Sequence, residues 1–417
     1  MKKIIASAVG LMLAGGIATT ASAAVENEFG GYWRTRFTYQ DNILTGTNTP
    51  SVFYVDTRTR LFYTAKFSDD FKFVNKFEFN TGWGDANGGS GTGAGGDIGA
   101  DGKGNWRIKN SYADFNIGPV VNAKVGIQGF TLARGFLFDD DASGVMVTGK
   151  FGNVTVPLVW INAANKDVVT TDGMLPNANN VNVFAALAAI KINDAITVTP
   201  YFVDQVMDFA ATGKDGNYWW LGADADMKFG SVTTWATAIY NGGTVNNVDT
   251  SAYLGAVGAD AGLVHGQAFY SSGQKFGDDP TKNNQFVGIP GLQPKYASAN
   301  TGSSYYWAEI MGYGIFDNPV AHGTLADDIT NIWAANVGVT FKPMDKLKLT
   351  GDVWYASLAQ SWDKTGDKEL GWELDGVASY SIYDNLTADL VIAYLFSGDA
   401  VGPENITEGG VRLSLKF

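Results

Sequence analysis

The chain has 417 residues, with 29 Lys and Arg against 42 Asp and Glu, a formal charge of −13, 45% hydrophobic residues, 52 glycines and no cysteine. About one residue in eight is glycine, well above the roughly 7% of average proteins, which argues against helical bundles and for a turn-rich chain. The lack of cysteine excludes disulfides, thiolate metal sites, covalent haem attachment and cysteine nucleophiles, and the acidic balance excludes nucleic acid as the main partner.

Residues 1–23 read as a secretory signal, with Lys2 and Lys3 at its start, a short apolar run from Ile4 to Ile17, and Ala21-Ser22-Ala23 for cleavage. Residues 24–417 then form a single domain. No later stretch is a long enough apolar run to cross a bilayer as a helix, since Val181 to Ile192 is short and contains Asn182 and Lys191.

From Phe29 onward the chain alternates. Phe29, Trp33, Phe37 and Tyr39 interleave with Arg34, Arg36, Thr38 and Gln40, which puts one set of side chains on each face of a strand. Phe53, Val55, Leu61, Tyr63 and Phe67 alternate with Asp56, Arg58, Arg60 and Lys66, and Phe71, Phe73, Phe77 and Phe79 with Lys72, Lys76 and Glu78. Tight connections occur at Ser68-Asp69-Asp70, Gly118-Pro119, Gly152-Asn153, Asn193-Asp194, Gly230-Ser231, Ala259 to Gly262, Pro343-Met344-Asp345 and Asp384-Asn385. Long polar excursions lie between them, such as Asp41 to Pro50, Gly84 to Gly104, Asn162 to Asn180 and Ala359 to Glu369. Short turns at one end and long loops at the other describe an all-β fold, an antiparallel transmembrane β-barrel with periplasmic turns and extracellular loops. Lipid offers no partner for backbone N–H and C=O groups, so such a sheet must close. Nineteen alternating segments are countable, but both ends on one side require an even number. Placing Ser271 to Ile329 in one large outer loop, with Ser303 to Tyr313 as the odd segment, predicts 18 strands; 16 is the alternative if two weaker segments between Ser231 and Ser271 are misread.

The last segment, Val411 to Phe417, alternates and ends in Phe, and in this it resembles the C-terminus of Gram-negative outer-membrane general porins. The resemblance implies that Phe417 belongs to the signal read by the barrel-assembly machinery. It also implies an outer-membrane homotrimer in contact with lipid and lipopolysaccharide, with no cofactor. Gly126-Ile127-Gln128, Leu137 to Asp141 and Tyr380 to Leu386 are similar to the major porins of metal-reducing proteobacteria.

If the apolar register meets lipid, the other register lines the lumen. Arg34, Arg36, Arg58, Arg60 and Lys76 form a basic wall, with Asp56, Lys66, Lys72 and Glu78 beside them and Asp224, Asp226, Lys228, Glu373 and Asp375 as further polar lining. Facing hydrocarbon instead would cost roughly 2–4 kcal/mol for each Lys or Arg at mid-depth. A barrel this wide keeps an aqueous channel unless loops fold in. The connection from Phe130 to Ser143 carries Arg134 and the run Asp139-Asp140-Asp141. In porins the corresponding loop folds inward, so the resemblance implies a constriction with these aspartates facing Arg34, Arg36, Arg58 and Arg60. The alternative is that they sit in an outer loop and bind a divalent cation. Trp219 and Trp220 belong to an interfacial girdle or, alternatively, to a sugar-stacking track.

An enzyme is not expected, because His265 and His322 are the only histidines and neither accompanies a nucleophile motif. Asp85, Asp97 and Asp101 in the glycine-rich run are spaced too irregularly for a metal loop. The sequence points to passive diffusion of ions and small hydrophilic solutes; a sheath for a periplasmic partner and a carbohydrate-selective channel are the alternatives. Replacing Asp139, Asp140 and Asp141 together with Asn is expected to move permeability toward anions. An unchanged reversal potential in a salt gradient removes the constriction assignment.

Overall fold

A computed structural model describes residues 25–42, 51–84, 105–164, 169–170, 173–174, 180–208, 216–289, 305–312, 314–316, 329–361 and 363–417. The segment 1–23, His322, Asp85, Asp97 and Asp101 lie outside them.

The alternating segments are strands, each hydrogen-bonded to the next in antiparallel register. They are β1 (Glu26–Asp41), β2 (Val52–Ser68), β3 (Phe71–Gly82), β4 (Asn105–Ile117), β5 (Val121–Leu132), β6 (Phe138–Phe151) and β7 (Val154–Ala164). Next comes β8, which runs through Asn180–Leu187 and Ala189–Asn193 with an interruption at Ala188, followed by β9 (Ile196–Asp208), β10 (Gly216–Phe229), β11 (Val232–Val245), β12 (Val248–Ala261) and β13 (Val264–Ser271). The last are β14 (Ile332–Met344), β15 (Leu347–Leu358), β16 (Glu369–Tyr383), β17 (Leu386–Ser397) and β18 (Ile406–Lys416). β18 returns to β1, in register from Tyr32 opposite Lys416 to Asp41 opposite Thr407, so 18 strands close into a barrel. The eight short turns expected from the sequence join the strands at one end.

The opposite end carries the long connections with one exception. Between β11 and β12 only Asn246 and Asn247 turn the chain, both at positive φ (52° and 60°). This is a two-residue hairpin whose twist matches the strands, and Asn tolerates that conformation better than most residues. The β13 to β14 connection is the long excursion expected there, but its described residues include a buried set: Phe286, Ile289, Ile310, Met311 and Phe316 are all essentially inaccessible.

The two faces are inverted relative to a water-soluble protein. Phe53 (65% accessible), Val337 (58%) and Ile392 (61%) stand outward, while Arg36, Gln40, Glu78, Glu373 and Glu408 are buried toward the axis. An apolar belt of this extent around a closed sheet is a lipid-facing surface.

Closure has a specific fit at its seam. Gly31 and Phe417 exchange backbone hydrogen bonds, Gly31 N–H donating to Phe417 O at 2.6 Å and Phe417 N–H to Gly31 O at 3.1 Å. A β-carbon added at Gly31 would stand 2.3 Å from the Phe417 ring and 2.9 Å from the Arg60 carbonyl, so only glycine leaves the terminal ring its place. Gly31→Ala is expected to lower barrel stability by about 1–3 kcal/mol, the usual range for overpacking. Urea unfolding in lipid vesicles measures this, and an unchanged midpoint contradicts it.

Candidate functional site: a divided lumen

Strand pairing carries the basic wall across the seam. Arg36 stands opposite Arg412 of β18 and Asp56 of β2, and Arg34 stands opposite Arg58. Arg60 and Arg107 both stand opposite Glu78 of β3. Arg36 Nε donates to Asp56 Oδ1 at 2.8 Å, and Arg412 pairs with Asp389 of β17 at 2.9 Å. Glu78 alone serves three guanidiniums: Arg60 at 2.7 Å, and Arg58 and Arg107 at 3.6 Å. Among the described residues here, positive charge is therefore in excess. Beside it lies a cavity of about 740 Å³ whose lining includes Arg34, Arg58, Arg60, Arg412 and Lys416 and, among the described residues, no Asp or Glu side chain. Tyr32, Phe62 and Tyr306 give the same cavity aromatic surface.

Two inward connections fill the other side of the barrel. The first is Ala133–Leu137 between β5 and β6, with Phe136 and Leu137 wholly buried. Its Arg134 reaches the opposite wall, where it meets Asp226 at 2.9 Å and Asp224 at 3.9 Å and lies over the Trp235 ring. The second is the β13 to β14 connection. Trp220 Nε1 donates to Val287 O at 2.7 Å, and Asn241 Oδ1 accepts Val287 N–H at 3.2 Å. Further along, Glu373 accepts the consecutive N–H groups of Ile310 and Met311 at 2.6 and 2.9 Å, and Asp375 accepts that of Glu309 at 3.3 Å. Ile289 N–H donates to Leu137 O, and Tyr305 stacks on Phe136 with centroids 3.9 Å apart, so the two connections form one plug. Each fully buried Phe, Leu, Ile or Met side chain contributes about 1.5–3 kcal/mol, more than any single hydrogen bond at about 1 kcal/mol. Packing therefore places the plug and the polar anchors set its register. The buried apolar cluster around the plug draws residues from β5 to β18, and the basic lining of the cavity lies on β18, β1 and β2.

Several residues singled out from the sequence take other positions. Asp139, Asp140 and Asp141 are not in a loop but on β6, where alternation prevents three consecutive side chains from sharing one face. Asp141 pairs with Lys109 at 2.5 Å and accepts from Asn110 at 2.7 Å, Asp140 meets Lys109 at 3.3 Å, and Asp139 accepts from Thr131 at 2.8 Å. The run engages β4, while Arg36, Arg58 and Arg60 take Asp56 and Glu78. Glu373 is buried under the plug, and the half-buried Asp375 accepts the Glu309 N–H, so neither is open lining. Asp224 and Asp226 hold Arg134. Trp220 is fully buried under Val287 and Trp219 packs on outward-facing Tyr240, so the pair forms no track. Lys72 pairs with Asp114 at 3.4 Å, and Lys66 sits at the turn beside Asp69 at 2.9 Å. Lys76 lies over the Phe62 ring, and Lys228 is exposed beside the β10 to β11 turn. His265 directs Nε2 at Asp352 Oδ1, 2.9 Å away.

Arg107, Lys109, Arg412 and Asp389 were not singled out. The signal for Arg412 was present, since an alternating last strand that closes on the first must set it beside Arg36.

No family model matches the sequence, and no curated protein does. Solved structures match in fold. Pseudomonas aeruginosa OccK8 (OprE) is 12% identical with a TM-score of 0.58, covering 94% of this chain and 98% of that one. Pseudomonas aeruginosa OpdK with vanillate is 13% identical with a TM-score of 0.58 over the same shares. Acinetobacter baumannii OccAB1 is 10% identical with a TM-score of 0.58, covering 96% of this chain and all (100%) of that one. At such identity the likeness establishes the barrel; it does not bear on the narrower resemblance to porins of metal-reducing proteobacteria.

Because Glu78 is shared by three guanidiniums, Glu78→Gln is expected to raise the anion-to-cation permeability ratio roughly twofold. The reversal potential across a KCl gradient reads this directly, and a shift toward cations contradicts the excess of positive charge.

Proposed function

We propose that the protein is an outer-membrane diffusion channel of a Gram-negative cell that passes small hydrophilic anions, favouring carboxylates that carry an apolar or aromatic body. The cavity bearing five cationic side chains carries this reading. Guanidinium groups match a carboxylate in two-pronged geometry, and Tyr32, Phe62 and Tyr306 offer faces to a ring. Opposed to this wall, the plug narrows the passage, so a solute crosses close to the cations and not through bulk water. The solute gradient supplies the driving force. The matching OpdK structure contains vanillate, an aromatic carboxylate, in keeping with the proposal. A sheath around a partner protein fits less well, because the plug occupies the half of the lumen that such a partner would need.

Planar-bilayer recording of the purified protein tests the proposal. Open-channel steps with anion preference are expected, and Arg34→Gln, Arg58→Gln and Arg60→Gln combined should lower that preference several-fold and slow benzoate entry into vesicles. Cation preference in the unmodified protein, or silence, overturns it.

A further inference from the structure

The plug residues 305–312 and 314–316 are seated on acid groups. Glu309, itself on the segment and not in a strand, is 8% accessible, and its Oε2 accepts the Ile315 N–H at 2.7 Å, closing the turn at Gly314. Around it stand Glu373 and Asp375 of β16, Asp352 of β15 and Glu408 of β18. Asp352 is occupied by His265 of β13 and by Asn336 of β14. The cation acting on Glu309 is Arg412, and its guanidinium is already committed, through two nitrogens to Asp389 of β17 and through a third to Ile315 O at 2.8 Å. An ionised Glu309 therefore enters a crowd of carboxyl groups with one spent counter-charge. Gly314 and Ile315 line the cationic cavity, so the position of this segment sets how wide the passage is.

We propose that the stretch around Glu309, residues 305–312 with Gly314 to Phe316, is a proton-operated gate on this channel, seated against β16 when Glu309 is protonated and loosened from it when Glu309 ionises. The inference rests on the diffusion-channel reading above and adds its regulation. Burial is the main reason the seated Glu309 holds its proton, raising its pKa from the ordinary 4.5 to about 7; Glu373 and Asp352 add to the rise, and the Ile315 N–H and Arg412 oppose it. Once loosened, the group meets water and returns to the ordinary carboxylate range. Seating is thus fully supported by protonation below about pH 4.5 and loses that support as the pH rises through about 7. Across this window the seated-to-loosened ratio falls on the order of a hundredfold. The swing can decide the outcome because burial of the segment's few apolar side chains is largely offset by the entropy of ordering it.

Two measurements test the gate. Single-channel conductance of the unmodified protein should rise between pH 4.5 and 8.5, and that of Glu309→Gln should stay near the acid value throughout. Separately, Met311→Cys, buried in the seated segment, should react with a water-soluble thiol reagent at least tenfold faster at pH 8.5 than at pH 6, relative to an exposed Asp363→Cys reference. Adding Glu309→Gln should remove the difference. The thiol assay needs no conducting pore, so silence in the bilayer counts against the channel reading while the gate is still tested. Equal Met311→Cys reactivity at both pH values, or conductance in Glu309→Gln that follows pH as the unmodified protein does, overturns the gate.

Discussion

Hydrocarbon offers a peptide group no hydrogen-bond partner, so a sheet standing in it can have no edge. That constraint organises this chain. It requires β18 to find β1, and it makes the seam at Gly31 and Phe417 a place where backbone bonds and side-chain shape must agree. It also forces the inversion of faces: the apolar register of each strand is spent on lipid, and the charged register must share the interior. The charged side chains then need one another or water. Pairings such as Arg36 with Asp56 and Arg412 with Asp389 show the first solution, and the cavity beside them shows the second.

The interior is not symmetric, and the asymmetry is a packing effect. From β7 to β16 the inward register is itself partly apolar, with Ile161, Val183, Val203, Leu254, Ala334 and Trp354 buried. Such a wall cannot be left to water at low cost. Ala133–Leu137 and the β13 to β14 connection cover it, and the carboxyl groups of Glu373 and Asp375 catch the backbone N–H groups that the folded-in connection would otherwise bury unpaired. On β1 and β2 the inward register is charged, and with β18 it borders the cavity. The passage is placed by this difference between two walls of the same barrel.

That contrast also explains what could be read in the sequence. Strand existence, turn positions and the count of 18 were legible because lipid enforces strict alternation, and a one-residue slip would set arginines into hydrocarbon. The basic wall followed from the same parity. That the β5 to β6 connection folds inward was legible by resemblance, and Ala133–Leu137 does so; that the β13 to β14 connection joins it was not. Ser303 to Tyr313 reads as a further alternating strand, and parity and its place between two long connections argued against it. The aspartate run was assigned to a loop because it falls in the connection that resembles the inward loop of porins; on β6 it is compensated by Lys109, 31 residues away from Asp140 in sequence. Glu373 and Asp375 have the parity of lining residues, and nothing local reveals that another segment covers them.

Because the chain contains no cysteine, the division of the lumen can be probed one position at a time. The most direct measurement places a single cysteine at Arg58 on the open wall or at Ala256 on the covered wall, both on the inward register, and adds a water-soluble thiol reagent to an open channel. Stepwise loss of current at Arg58→Cys with none at Ala256→Cys is the expected result. Block at Ala256→Cys as fast as at Arg58→Cys would contradict the account, because solutes would then be using the side of the barrel that the plug should occupy.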